Sequence, residues 1–170
     1  MKSYRIIQFI IVFAVLMFMP GCSQANETAD EQNAAVNYDN EEILFTIEGA
    51  ELAAMTRCEF MSLEQCTYYI TRTNSKGETT SGDYSGVKWD VLAEAIGEPE
   101  NAQSVTVIAS DGFSQAYTME ILNADKSLFA IYKDGNPITE QADNGQIWFC
   151  ADESFTANYW TKFITKIVIN

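Results

Sequence analysis

Residues Tyr84-Ser85-Gly86-Val87-Lys88-Trp89-Asp90-Val91-Leu92-Ala93-Glu94-Ala95-Ile96-Gly97-Glu98-Pro99 carry the clearest structural punctuation in the chain. Trp89, Leu92 and Ile96 fall at i, i+3 and i+7, which makes one apolar stripe of a helix. Gly97 follows as a C-terminal stop, and Pro99 prevents continuation. On either side of this helix the pattern changes to that of strands. Upstream, Cys66 to Thr73 is rich in Thr, Tyr and Ile, as strands are. Asn74-Ser75-Lys76-Gly77 reads as a hairpin turn, with Glu78 to Tyr84 returning as a polar, edge-like strand. Further back, Ile43 to Ile47 alternates as a first strand. Gly49 to Met55 predicts one or two helical turns, with Leu52 and Met55 on one face.

Downstream, Ser104 to Ser110 places Val105, Val107 and Ala109 on one face. Asp111-Gly112 is a tight-turn signal, after which Phe113 to Met119 pairs back. Glu120 to Asn123 predicts a short helical turn, and Leu128 to Lys133 another strand. Asp134-Gly135-Asn136-Pro137 is a second turn. Gln146 to Ala151 reads as a buried strand, Thr156 to Phe163 is ambiguous, and Ile164 to Ile169 closes the chain as a strand. Many strands, a few short helices and no recurring βαβ unit predict an α+β domain with a mixed, mostly antiparallel sheet.

The chain has 170 residues, 10 Lys+Arg, 24 Asp+Glu and no histidine, for a formal net charge of −14. That length allows one ordinary domain. The charge repels phosphate backbones, so no nucleic-acid partner is expected. The missing histidine removes His-based metal sites and every Ser/His or Cys/His nucleophile pair.

The N-terminus states an address. Lys2 and Arg5 precede Ile6 to Met19, in which Gln8 is the one polar residue. This is the pattern of a secretory signal, and it is short for a spanning helix. The run ends at Met19-Pro20-Gly21-Cys22-Ser23, which resembles the lipobox of bacterial lipoproteins. That resemblance implies cleavage before Cys22 and acylation of its sulfur, hence a lipid anchor in the cell membrane and an extracytoplasmic location. The alternative is an uncleaved anchor or a chance cysteine at the end of a signal. The expected organisation is a signal peptide over 1–21, an acidic tether over 22–42 and a folded domain over 43–170. From Ile43 onward eight Lys+Arg face 18 Asp+Glu, a net charge of −10.

Three more cysteines lie in the domain. Cys58 and Cys66 are close enough in sequence for a disulfide that would stabilise by roughly 2–3 kcal/mol. The competing reading makes each a small buried hydrophobe. Cys150 sits in an apolar run and reads as a packed thiol.

Four segments in register resemble one family. Gly86-Val87 before the Trp89 helix is similar to its helix-opening pattern. Val105 to Ser114 resembles its strand followed by Ser-Asp-Gly-Tyr. Leu128 to Ile138 resembles its strand followed by Gly-x-Pro-Leu. Trp160 to Ile169 resembles its closing Trp-x-Lys-x-Ile pattern. The chain from about Leu44 to Asn170 thus resembles the oxidoreductase molybdopterin-binding domain, the sulfite-oxidase-like superfamily. The resemblance implies that fold and, in the family's enzymes, a cysteine thiolate on molybdenum at or just after the strand preceding the helix. Here the matching stretch, Thr67 to Asn74, contains no cysteine, and Cys66 lies several residues early. The family's His- and Arg-bearing segment becomes Asp143-Asn144-Gly145-Gln146-Ile147-Trp148, with neither residue.

Arg72 and Asn74, at the matched strand end, are candidates for a polar ligand or are solvated hairpin residues. Trp89, Phe113, Trp148 and Trp160 line a pocket or fill the core. Of Asp134, Asn136, Glu140 and Asp143, only the first two keep calcium-loop spacing, so no metal is expected there. Two functional readings follow. The first is a tethered lipoprotein whose domain is a non-catalytic binding or interaction module for a small molecule or protein, without a cofactor. The second is a small molybdopterin-dependent oxidoreductase that uses Cys66.

Overall fold

A computed structural model describes residues 41–138 and 146–170. The expected signal, the lipidated Cys22, nearly all of the tether, and Glu140 and Asp143 lie outside the described residues. The strands are β1 (Ile43–Glu48), β2 (Ala54–Thr56), β3 (Cys66–Thr73), β4 (Thr79–Val87), β5 (Ser104–Ala109), β6 (Ser114–Thr118), β7 (Leu128–Lys133), β8 (Asn136–Pro137), β9 (Trp148–Cys150) and β10 (Ile164–Ile169). The helices are α1 (Arg57–Ser62), α2 (Trp89–Ile96) and α3 (Met119–Leu122), with a 3-10 turn at Ala157–Tyr159.

One sheet runs β2-β1-β10-β5-β6 and the other β3-β4-β7-β8, with β9 also on β7. The β1–β10 pair is parallel, and the other described pairings are antiparallel. The expected α+β class with a mostly antiparallel arrangement is therefore what the chain adopts. Alternation explains it locally: in β5 the residues Val105, Val107 and Ala109 turn inward and the intervening ones outward, the period of a half-buried strand. Both sheets feed one apolar cluster, which takes Phe45 and Ile167 from the first and Ile70, Val87 and Phe149 from the second. Among the described residues no helix is long and apolar enough to cross a membrane.

α2 has the bounds its stripe predicts. It buries Trp89, Leu92, Ala93 and Ile96, and Gly97 ends it in the left-handed region at φ 69°. That conformation is accessible to glycine without a Cβ penalty.

Three local expectations change. Gly49 to Met55 is not helical: Gly49 turns sharply at φ 85° against the Ile169 carbonyl, and the chain pairs back as β2. The helix comes next, as α1, where Thr56 caps Glu59 and Glu59 caps Thr56 in a reciprocal box. The strand expected over Glu78 to Tyr84 is edge-like as far as Asp83 but runs on to Val87. From Tyr84 to Val87 it also pairs with β7, so it lies inside the sheet.

Candidate functional site

β4 and β7 are in register at Tyr84 and Lys133, which sets a cation beside a phenol on one face of the second sheet. Lys133 Nζ lies 5.9 Å from the centroid of the Tyr84 ring. The same ring meets the Trp160 indole edge-on at 5.1 Å. Arg72, near the end of β3, places its Cζ 5.4 Å from the Trp160 centroid. On β9, Trp148 carries Lys162 Nζ at 4.2 Å from its centroid and packs edge-on against Phe163 at 5.7 Å. Three cations thus each lie over an aromatic ring, an arrangement worth roughly 0.5–1 kcal/mol apiece at half-exposed sites.

All three cations act on one buried group. Burial pushes the Cys150 thiol well above its usual range, against the opposing pull of Arg72, Lys162 and Lys133. Burial likewise raises the Tyr84 hydroxyl to about 12, with Cys150 and Asp134 adding to the rise and Arg72 opposing it. Both groups are therefore neutral near pH 7, and they sit beside three cations in a domain whose net charge is −10.

Arg72 differs from other cations of the domain. Arg57 pairs with Glu42, Lys126 with Glu153, Lys133 with Asp134 and Lys166 with Glu48. Arg72 joins no carboxylate among the described residues, and its Nε is buried without a hydrogen-bond partner. It lines a pocket of about 310 Å³ between the end of β3, the segment from Asp152 to Ala157, and Trp160. That segment is anchored. Asp152 accepts from the Lys126 amide and from the Ser154 amide and hydroxyl, and its own amide donates to Ser127 Oγ. Glu153 accepts from the Thr71 amide at 3.0 Å and pairs with Lys126 at 3.3 Å. Trp160 is fixed by its indole N–H, which donates to the Ala151 carbonyl at 3.1 Å.

The structure sorts the residues singled out from sequence. Arg72, Trp148 and Trp160 meet on this face. Asn74 belongs to the hairpin turn: its Oδ1 accepts from the Lys76 and Glu78 amides, and its Nδ2 donates to Glu78. Trp89 is buried against Phe129 and forms part of a different groove, of about 510 Å³, with Asp90, Glu94 and Glu98. Phe113 is 47 % exposed, in the turn before β6, and lines no part of the aromatic face. Sequence reasoning missed Tyr84, Lys133 and Lys162. The signal for Lys133 was its place at the end of a strand that pairs with the one ending in Gly86-Val87.

The expected Cys58–Cys66 bridge is not formed. Cys58 is exposed on α1, Cys66 is half-buried at the start of β3, and both are free thiols, as is Cys150. Cys66 is held where it is by its own contacts: its thiol donates to the Gly86 carbonyl.

The fit of this face to molybdopterin divides in two. The cations suit an anion. The thiols do not suit the metal, which requires a soft thiolate. Burial raises Cys66, opposed by Lys88, and raises Cys150 further. Cys66 also begins β3 whereas Arg72 lies six residues on, roughly 20 Å along an extended strand. The described residues thus offer the face no thiolate. Among them no group of three or more His, Cys, Asp or Glu side chains gathers in a metal-binding arrangement.

No family model matches the chain, and no curated protein matches it in sequence. Among solved structures, the sulfane dehydrogenase SoxCD from Paracoccus pantotrophus is similar, with a TM-score of 0.65 at 14 % identity over 79 % of this chain. The chain spans only 40 % of that protein's length. At this identity the likeness shows the fold, a mixed α+β domain resembling the sulfite-oxidase-like type.

Proposed function

We propose that this chain is a membrane-tethered, extracytoplasmic lipoprotein whose sulfite-oxidase-like domain serves as a non-catalytic module that binds a small anionic ligand. One observation carries the binding role: Arg72, Lys133 and Lys162 stand over Trp160, Tyr84 and Trp148 on one face that lacks a thiolate. A fold can keep its binding surface while losing its chemistry. The tether and anchor rest on the lipobox-like sequence around Cys22 and the acidic stretch that follows. Acyl chains contribute about 0.8 kcal/mol per buried methylene, enough for two or more to hold a protein to a membrane.

The experiment has two arms. Full-length protein purified from its own membrane is assayed for metals, and its binding of sulfate is titrated at low and high salt. The expected result is molybdenum far below one per chain, with salt-sensitive sulfate binding that weakens in Lys133→Met and Lys162→Met. In parallel, Cys22→Ala abolishes palmitate labelling and releases the protein from the membrane fraction.

The second reading, a small molybdopterin-dependent oxidoreductase, is favoured by the fold likeness to a dehydrogenase. Stoichiometric molybdenum in the purified protein, lost on Cys66→Ser, would establish it and overturn the first.

A further inference from the structure

The pocket beside Arg72 contains charges of both signs that do not join each other. Arg72 has no carboxylate partner among the described residues. Asp152 and Glu153 line the same pocket. Asp152 is consumed by the hydrogen bonds that shape its own segment. Glu153 is half used: its Oε1 receives the Thr71 amide and Lys126 Nζ, whereas its Oε2 has no partner among the described residues. A guanidinium with free donors and a carboxylate with a free oxygen therefore share one cavity.

The rest of the cavity adds a direction. Phe155 and Trp160 supply apolar ring surface, and Ala157 closes it with a small side chain. Phe155 is held edge-on against Tyr159 at 5.9 Å. Thr71 spends its backbone N–H outward on Glu153, away from β4, so Thr73, two residues on in the same strand, presents its N–H on the same open edge. A ligand carboxylate at Arg72 has this second donor beside it. At about 310 Å³ the cavity is at the small end of the roughly 300–1,000 Å³ usual for small-molecule sites.

We infer that this pocket takes a zwitterion of the α-amino-acid type, its carboxylate on Arg72, its ammonium on Glu153 Oε2 and an apolar side chain against Phe155 and Trp160. The inference rests on the anion-binding reading of the face and sharpens it. A simple anion answers Arg72 but is repelled by Glu153; an amine answers Glu153 but is repelled by Arg72. A molecule with both charges on neighbouring carbons uses both.

The test is calorimetric titration of the full mature chain with four probes: L-phenylalanine, 3-phenylpropionate, phenethylamine and sulfate. 3-Phenylpropionate lacks the ammonium and phenethylamine the carboxylate. The inference expects L-phenylalanine to bind at least tenfold more tightly than either analogue. It expects Arg72→Met to abolish that binding and Arg72→Lys to retain part of it. Lys76→Met, in the hairpin turn, serves as the control and keeps wild-type affinity. Near-ultraviolet circular dichroism checks that each variant is folded, and Glu153→Gln gives the second arm by removing the preference for the ammonium. If 3-phenylpropionate binds as tightly as L-phenylalanine, or sulfate alone binds, the zwitterion is overturned while the anion-binding reading stands. If none of the four binds, both are overturned.

Discussion

Arg72 lies over the indole of Trp160, Cζ to ring centroid 5.4 Å, and the indole N–H is tied to the Ala151 carbonyl just after β9. The pair joins an otherwise unpartnered cation to the aromatic core, since Trp160 also meets Tyr84 edge-on. Trp160→Phe keeps a ring but strands the carbonyl, at a cost of about 1–3 kcal/mol. Trp160→Ala empties a buried site and costs roughly 3–5 kcal/mol. Urea titrations of the two variants should show that ranking. A Trp160→Phe variant as unstable as Trp160→Ala would mean the hydrogen bond, rather than the ring, carries the site.

Gly86→Ala should be the most damaging single methyl in the domain. A Cβ at Gly86 would lie 1.9 Å from the Phe129 carbonyl oxygen and 2.7 Å from Ala130 Cα. Both are backbone of β7, so no side-chain rotation relieves the clash, and the β4–β7 pairing has to part. A loss of about 4 kcal/mol or more is expected, read as a collapse of soluble yield or of the denaturation midpoint. A variant of near-wild-type stability would show that β4 and β7 do not approach this closely.

The helix after Gly86-Val87 was legible because its reason is local, an apolar stripe closed by Gly97, whereas the close approach of Gly86 to β7 is long-range. β3, β7 and β10 were legible with their bounds for the same reason, since composition and alternation are read residue by residue. α1 escaped although Thr56 and Glu59 spell a capping box, because six residues carry too little apolar periodicity to declare a helix. The site was half legible. Arg72, Trp148 and Trp160 could be named as charged or aromatic residues near strand ends. Lys133 and Lys162 could not, because what brings them together is the Tyr84↔Lys133 register and the return of the chain after Cys150. Phe113 shows the converse error: an aromatic beside a strand turns outward when it belongs to the turn.

Alkaline pH should unfold the domain early. Burial raises Tyr84 and Tyr117 to about 12 each, the latter against the opposing hydrogen bond with Thr161. Their unfolded value is 10.0. Both hold their protons longer folded than unfolded, so their contribution is complete below pH 10 and is lost as pH climbs through 12. The slope is up to about 1.4 kcal/mol per pH unit for each. Tyr84→Phe removes one of the two and should flatten the profile over that window, as read by denaturation midpoints at stepped pH. A profile unchanged by the substitution would place Tyr84 in contact with water.

Tyr117→Phe is a different experiment, because its hydroxyl meets Thr161 Oγ1 at 2.6 Å in the interior. Thr161 is fully buried, so removing the phenol leaves its hydroxyl unsatisfied, at about 1–3 kcal/mol. Tyr117→Phe with Thr161→Val removes both partners and should recover much of the loss. The double variant checks the argument: if it is no more stable than the single one, the cost belongs to packing around Tyr117 and not to the orphaned hydroxyl.

Acid acts through Asp152. Burial alone would raise its carboxyl, but hydrogen bonds from the Ser154 hydroxyl and amide and the Lys126 amide outweigh burial and hold it below the ordinary 3.8. A carboxyl depressed in the folded state contributes stability that is present above its unfolded value and disappears as pH falls through its folded one. The wild-type chain should therefore lose stability below about pH 4 partly through this residue. The same titration loosens the segment that walls the Arg72 pocket, since the Asp152 carboxylate accepts from the Lys126 amide and from the Ser154 amide and hydroxyl. Asp152→Asn keeps the shape but not the charge. It should be less stable than wild type at pH 7 and lose less on acidification, so that the two curves draw together as pH falls below the ordinary carboxyl value of 3.8. Curves that stay parallel from pH 7 to 3 would show that Asp152 has the same affinity for its proton folded and unfolded, and that the segment is held by something other than its charge.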